Sequence, residues 1–121
     1  MGFRIKRLNT FPPDDKSIIL VANHSSYIDI MLMFRMRKRP FVFVGKKEIE
    51  KIPIFGYLYK RSAITVDRSS FKSRSKVYER AKEVIRNGYS ICVFPERDYL
   101  DETILLNQFK VGAFKMAVEH K

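Results

Sequence analysis

Four short apolar runs, at residues 18–22, 41–44, 63–66 and 90–94, recur along this chain of 121 residues. Runs that short and that apolar read as strands buried on both faces. The stretches between them carry apolar residues at helical spacing. Buried strands separated by helices pair in parallel, because the chain needs a long crossover to return to the same end of a sheet. The expected fold is therefore α/β, a mainly parallel sheet flanked by helices. The spacing predicts strands over 17–22, 41–44, 63–66 and 90–94, helices over 26–36 and 71–87, short helical pieces after Gly45 and from Pro53, an irregular loop over 99–108, and a last helix from about Phe109. In such sheets, ligand sites lie beyond the carboxyl ends of the strands.

Local chemistry agrees with these boundaries. Ser70 can cap the helix over 71–87, Val77, Ala81, Val84 and Ile85 form its buried stripe, and Gly88 stands where a left-handed residue ends a helix. Arg35, Arg37, Lys38 and Arg39 suit a helix carboxyl end, and Pro40 forbids continuation. Pro12 and Pro13 mark a loop. Ile54, Phe55, Leu58 and Tyr59 share a helical face that could be core or could line a channel for a chain-like substrate. On spacing alone, core is the better reading.

Three polar groups follow three of the strands: His24 with Asp29, then Arg68, then Glu96. His24 and Asp29 lie in Asn23-His24-Ser25-Ser26-Tyr27-Ile28-Asp29. On one regular helix they would diverge by about 140°. They meet only if His24 lies in the turn and Asp29 in the first helical turn, which a Ser25 or Ser26 cap permits. Asp29 can then accept from one ring nitrogen and leave the other as a base. The plainer reading makes Asp29 a helix N-terminal carboxylate. With two His and six Asp in the chain, a His followed five residues later by Asp arises by chance about one time in ten. The gathering of all three groups at strand ends favours a catalytic site.

Charge narrows the partners. Residues 35–86 hold sixteen Lys or Arg against five acids, so the whole excess of +11 sits in the middle of the chain. Such a block implies an anionic partner, whether phosphate-bearing substrate, lipid headgroup or nucleic acid, or else a plain solvated face. The aromatics do not interleave with the cations in a nucleic-acid-binding motif, so no nucleic acid is expected. No run approaches the length of a membrane span, and the first residues lack a signal-peptide core. Cys92, alone of its kind, lies in an apolar run as a small core residue, and no Cys/His cluster has metal-ligand spacing. No metal or cofactor is expected.

These residues resemble the glycerolipid acyltransferases typified by lysophosphatidic acid acyltransferase. NHSSYID matches that family's NHxSxxD block at Asn23, His24, Ser26 and Asp29. The apolar run closing on Arg68 is similar to the second block, with Ser62 at the usual glycine position, and residues 45–61 resemble its lead-in. Phe94, Pro95 and Glu96 match the start of FPEGTR, where Arg97, Asp98 and Tyr99 replace Gly, Thr and Arg. Residues 109–117 look like the family's FKxGxxxxA helix. A fourth block would follow, so residues 1–121 read as a single acyltransferase domain truncated before it.

The resemblance implies transfer of a fatty acyl group from an acyl thioester, on coenzyme A or acyl carrier protein, to the hydroxyl of a lysophospholipid such as lysophosphatidic acid, in phospholipid biosynthesis. His24 would be the base and Asp29 its orienting partner. Arg68, Glu96, Asn23 and Ser26 would bind substrate, and backbone amides at the helix start would hold the oxyanion. The acyl thioester is a co-substrate, and no cofactor is implied. The enzyme would act as a peripheral protein on the cytoplasmic face of an anionic membrane. The altered third block implies weak activity toward lysophosphatidic acid or another acceptor, such as glycerol phosphate or an amino-acid lipid. The rival outside enzymology is a basic membrane-binding module.

Overall fold

 The computed structural model describes residues 2, 4–10, 13, 15–26, 28–96, 103, 104 and 106–120. Four strands, β1 (Ile19–Val21), β2 (Phe41–Lys46), β3 (Ala63–Val66) and β4 (Ser90–Val93), form one sheet in the order β1-β4-β2-β3. Every pairing is parallel, with Val21 and Val44 both level with Val93, and Ile64 level with Val44. The helices are α1 (Ile28–Met36), α2 (Phe55–Ser62), α3 (Phe71–Arg86) and α4 (Gly112–Glu119), and a 3₁₀ turn at Lys47–Lys51 precedes α2. The α/β reading of the sequence holds.

Side-chain alternation splits the core into two layers. Ile64, Val66 and Ile91 pack with Val77, Ala81 and Val84 of α3 and Met116 of α4. On the opposite face, Leu20 and Cys92 pack with Met33 of α1, and Phe41, Phe43 and Phe94 border them. The strand order explains the two faces. The chain moves across the sheet from β1 to β2 to β3, then returns to insert β4 between β1 and β2. Right-handed crossovers made in opposite directions put their helices on opposite faces. Ser90, fully buried, ties the sheet's start together by accepting from the Ile18 N–H at 3.2 Å through its hydroxyl.

The caps of α3 are those expected. Ser70 Oγ accepts from the Ser73 N–H at 3.2 Å, and Gly88 ends the helix at φ +84°. Several boundaries differ from the sequence reading: β1 and α1 each begin two residues later than expected, and three more differ for visible reasons. Gly45 and Lys46 extend β2, because their backbones pair with Thr65 and Val66. Helix α2 begins at Phe55, after a turn at Pro53 and Ile54, and not at Pro53. The last helix begins at Gly112, because the backbone before it is used elsewhere: Phe109 forms an antiparallel bridge with Glu96, and the Lys110 N–H donates to the Pro95 carbonyl at 2.9 Å. The face of Ile54, Phe55 and Leu58, read as core, is exposed, while Tyr59 is partly buried. Of the expected loop at the N-terminal prolines, Pro12 lies outside the described residues.

Candidate active site

The turn leaving β1 is held by carboxylates. Asp29, in the first turn of α1, directs Oδ2 back over the turn and accepts from the Ser25 N–H and the Ser26 N–H, each at 2.8 Å. The same oxygen lies 3.2 Å from His24 Nδ1. A carboxylate only accepts, so Nδ1 carries the proton and Nε2 is left with its lone pair. Side-chain exposures of 34% for His24 and 25% for Asp29 leave the pair reachable from solvent. His24 thus lies in the turn and Asp29 in the first helical turn, the arrangement that the spacing required.

A second carboxylate fixes the same turn from the neighbouring strand. Glu96, three residues beyond β4, is buried. Its Oε1 accepts from the His24 N–H at 2.7 Å, and its Oε2 accepts from the Asn107 N–H at 2.9 Å. Expected at the substrate, Glu96 therefore spends both oxygens on backbone donors. Phe94, two residues earlier, stacks on the imidazole with ring centroids 4.3 Å apart and planes at 24°. Phe43 stacks on Phe94 in turn, at 5.9 Å. The stack sets the plane of the ring.

Ser26 and Asn23 are exposed. Ser26 Oγ accepts from the Ile28 N–H at 3.3 Å, so its hydroxyl caps α1. The amides expected to hold an oxyanion are committed elsewhere: His24 N–H to Glu96, Ser25 and Ser26 N–H to Asp29, and the Asp29 N–H to the Ser26 carbonyl at 3.0 Å. That expectation is corrected for these four donors. Carboxylates hold three of them and the Ser26 carbonyl holds the fourth.

Arg68 is exposed just past β3, on the same carboxyl rim as His24. The sheet order separates it from the His24 turn by β4 and β2, about 14 Å at the usual strand spacing. Its backbone carbonyl accepts from Arg74 Nη1 at 2.9 Å, and its charge acts on Tyr59. Arg97, Asp98 and Tyr99, the altered part of the third block, lie outside the described residues. Sequence reasoning missed the Phe94 stack and the Glu96 anchor. Both depend on β4 lying beside β1, and only knowledge of the strand order could have revealed them. Among the described residues no three His, Cys, Asp or Glu side chains converge as a metal site, and no helix is long and apolar enough to cross a membrane.

Fold and site together define a class: a parallel α/β domain with a carboxylate-oriented histidine on the carboxyl rim of its sheet. The model of the Acyltransferase family matches residues 3–121, and the chain belongs to that family. It is 33% identical over 121 residues to a 1-acyl-sn-glycerol-3-phosphate acyltransferase of Haemophilus influenzae, covering 96% of this chain and 50% of the relative. It is 31% identical over 109 residues to one of Chlamydomonas reinhardtii, covering 89% of this chain and 32% of the relative. A Saccharomyces cerevisiae protein of the same name is 32% identical over 125 residues, covering 100% of this chain and 41% of the relative. The chain thus spans about a third to a half of the length of the relatives it matches. No solved structure matches it.

Proposed function

We propose that this chain carries the base of an O-acyltransferase that moves a fatty acyl group from an acyl thioester to the hydroxyl of a lysophospholipid, with lysophosphatidic acid the first candidate. The observation that carries the reading is the His24–Asp29 hydrogen bond at 3.2 Å, with Asp29 itself locked by two backbone donors. The names of the relatives support the acceptor.

In this reading His24 Nε2 takes the proton of the acceptor hydroxyl as its oxygen attacks the thioester carbonyl carbon. Asp29 stabilises the imidazolium that results. The tetrahedral intermediate collapses, the carbon–sulfur bond breaks, and the imidazolium returns the proton to the departing thiolate. No enzyme nucleophile is required. Base catalysis of this kind contributes roughly 10²- to 10⁴-fold. The exposed Asn23 side chain, next to His24, carries N–H donors that can meet the oxyanion now that the neighbouring amides are taken. Arg68 is the candidate clamp for an acceptor phosphate, where a guanidinium can bind two oxygens at once. Glu96 acts by holding the His24 turn. The carrier of the acyl group is coenzyme A or acyl carrier protein. The excess of sixteen cations over five acids in residues 35–86 supports a peripheral place on an anionic, cytoplasmic membrane face.

The test is thiol release from acyl-coenzyme A and from acyl carrier protein, with a panel of lysophosphatidic acid, glycerol phosphate and an amino-acid lipid as acceptors. Release that depends on lysophosphatidic acid or another lysophospholipid is expected. Release no faster than the acceptor-free background with every hydroxyl acceptor would overturn the reading.

A further inference from the structure

The 3₁₀ turn and α2 leave β2 at its carboxyl end and reach β3 at Ala63, which pairs with Phe43, only three residues below Lys46. The segment therefore begins at the carboxyl rim of the sheet, and α2 descends from there to Ala63, with the Tyr59 hydroxyl against Gly45. It shows solvent an apolar tip: Ile54 is 84% exposed, Leu58 60% and Phe55 52%. Phe55 and Leu58 are neighbours at i, i+3 on α2, and Ile54 immediately precedes the helix.

Ile54 is also the one described residue other than glycine with positive φ, at 63°. A β-branched residue there is strained, and strain held at an exposed position points to use. The buried Gly56 allows the tip to form, because a Cβ at that position would run into the Glu50 carbonyl. On either side of the tip in sequence, residues 46–61 carry five cations (Lys46, Lys47, Lys51, Lys60 and Arg61) against Glu48 and Glu50. Arg61 lies over the Tyr57 ring at 5.4 Å and donates to its hydroxyl at 2.6 Å, leaving a cation beside an exposed aromatic. An apolar wedge with cations at its edge is the chemistry of a segment that dips into a bilayer whose headgroups are negative.

We infer that the tip built by Ile54, Phe55 and Leu58 docks the protein on an anionic lipid surface. This rests on the acyltransferase reading only for its purpose: the tip shares the rim of the sheet with His24, so docking would bring the site against the layer that holds an amphiphilic acceptor.

The experiment uses the full-length protein and compares the parent with Ile54→Gly and Leu58→Glu. Binding is measured on vesicles with about 30% phosphatidylglycerol and on vesicles of phosphatidylcholine alone. The parent is expected to prefer the anionic vesicles, and each variant to bind them at least about tenfold more weakly. Ile54→Gly removes the strain along with the side chain, so its thermal midpoint should rise by a few degrees while its lipid binding falls. A residue that merely packed against protein would lose both together. Transfer to a short-chain acceptor below its micelle concentration should stay within twofold of the parent in both variants.

Variants that bind anionic vesicles within twofold of the parent would overturn the inference, and so would a parent that binds neutral vesicles equally well. The first result would mean that another part of the chain, a second copy or an acyl chain covers the tip. If lipid binding depends on the tip but the parent transfers no acyl group to any acceptor, the docking stands and the acyltransferase reading fails.

Discussion

In the turn after β1, Asp29 Oδ2 accepts from His24 Nδ1 and from two backbone amides, so orienting the imidazole and shaping the loop fall to one atom. Glu96 completes the arrangement by accepting from the amide of the histidine itself. Two half-buried amides thus depend on its two oxygens. Glu96→Gln keeps the shape but turns one acceptor into a donor facing an N–H. An unsatisfied buried donor costs about 1–3 kcal/mol. The expected result is a urea midpoint lowered by that amount and a slower turnover, with the loss in rate exceeding the loss in acceptor binding. Rates and midpoints unchanged from the parent would mean that the turn does not need Glu96. The angular argument on residues 24 and 29 was legible in the chain because both lie within one local turn. The Glu96 contact was not, since 72 residues separate it from His24 and no local spacing records a partner that distant.

At the scale of elements, the strands and α3 were readable because their signals are local: short apolar runs, a 3.6-residue stripe, Ser70 before it and Gly88 after it. Helix α2 shows where such signals stop. Ile54, Phe55 and Leu58 have the spacing of a buried face, but spacing says only which residues share a side and not whether anything covers it. Its neighbour Gly56 is buried against the Glu50 backbone. Gly56→Ala must move that backbone, since a carbonyl cannot swing aside as a flexible side chain can. The expected cost is about 1–3 kcal/mol, read as a lower urea midpoint. A midpoint equal to the parent's would show that the 3₁₀ turn yields without cost. The start of the last helix was misjudged for a related reason, because Phe109 and Lys110 pair with the segment after β4.

Across the whole molecule, the insertion of β4 between β1 and β2 brings Glu96 and Phe94 to the His24 turn while leaving Arg68 at the other end of the rim. The parallel sheet was legible in the alternation of strands and helices, but the order of its strands was not. The core also sets a pH response. Burial pushes the Cys92 thiol up to about 12 from 9.0. It pushes the Tyr59 phenol up to about 12 from 10.0, with the Arg68 charge opposing. Between those values the folded chain keeps protons that the unfolded chain has lost. This stabilisation is fully present below about pH 9 and is lost as pH rises toward about 12. The urea midpoint should therefore be lower at pH 10.5 than at pH 8, and Cys92→Ala should reduce the drop. A drop of the same size in that variant would place its origin elsewhere.

The central claim, that His24 is a base oriented by Asp29, is tested most directly by single-turnover acyl transfer in His24→Ala, measured beside Asp29→Asn and the parent at full length, with circular dichroism to establish that each is folded. Transfer at least about a hundredfold slower in folded His24→Ala is expected, with a loss nearly as large in Asp29→Asn through the wrong tautomer. A folded His24→Ala protein that transfers acyl groups within threefold of the parent rate would contradict it.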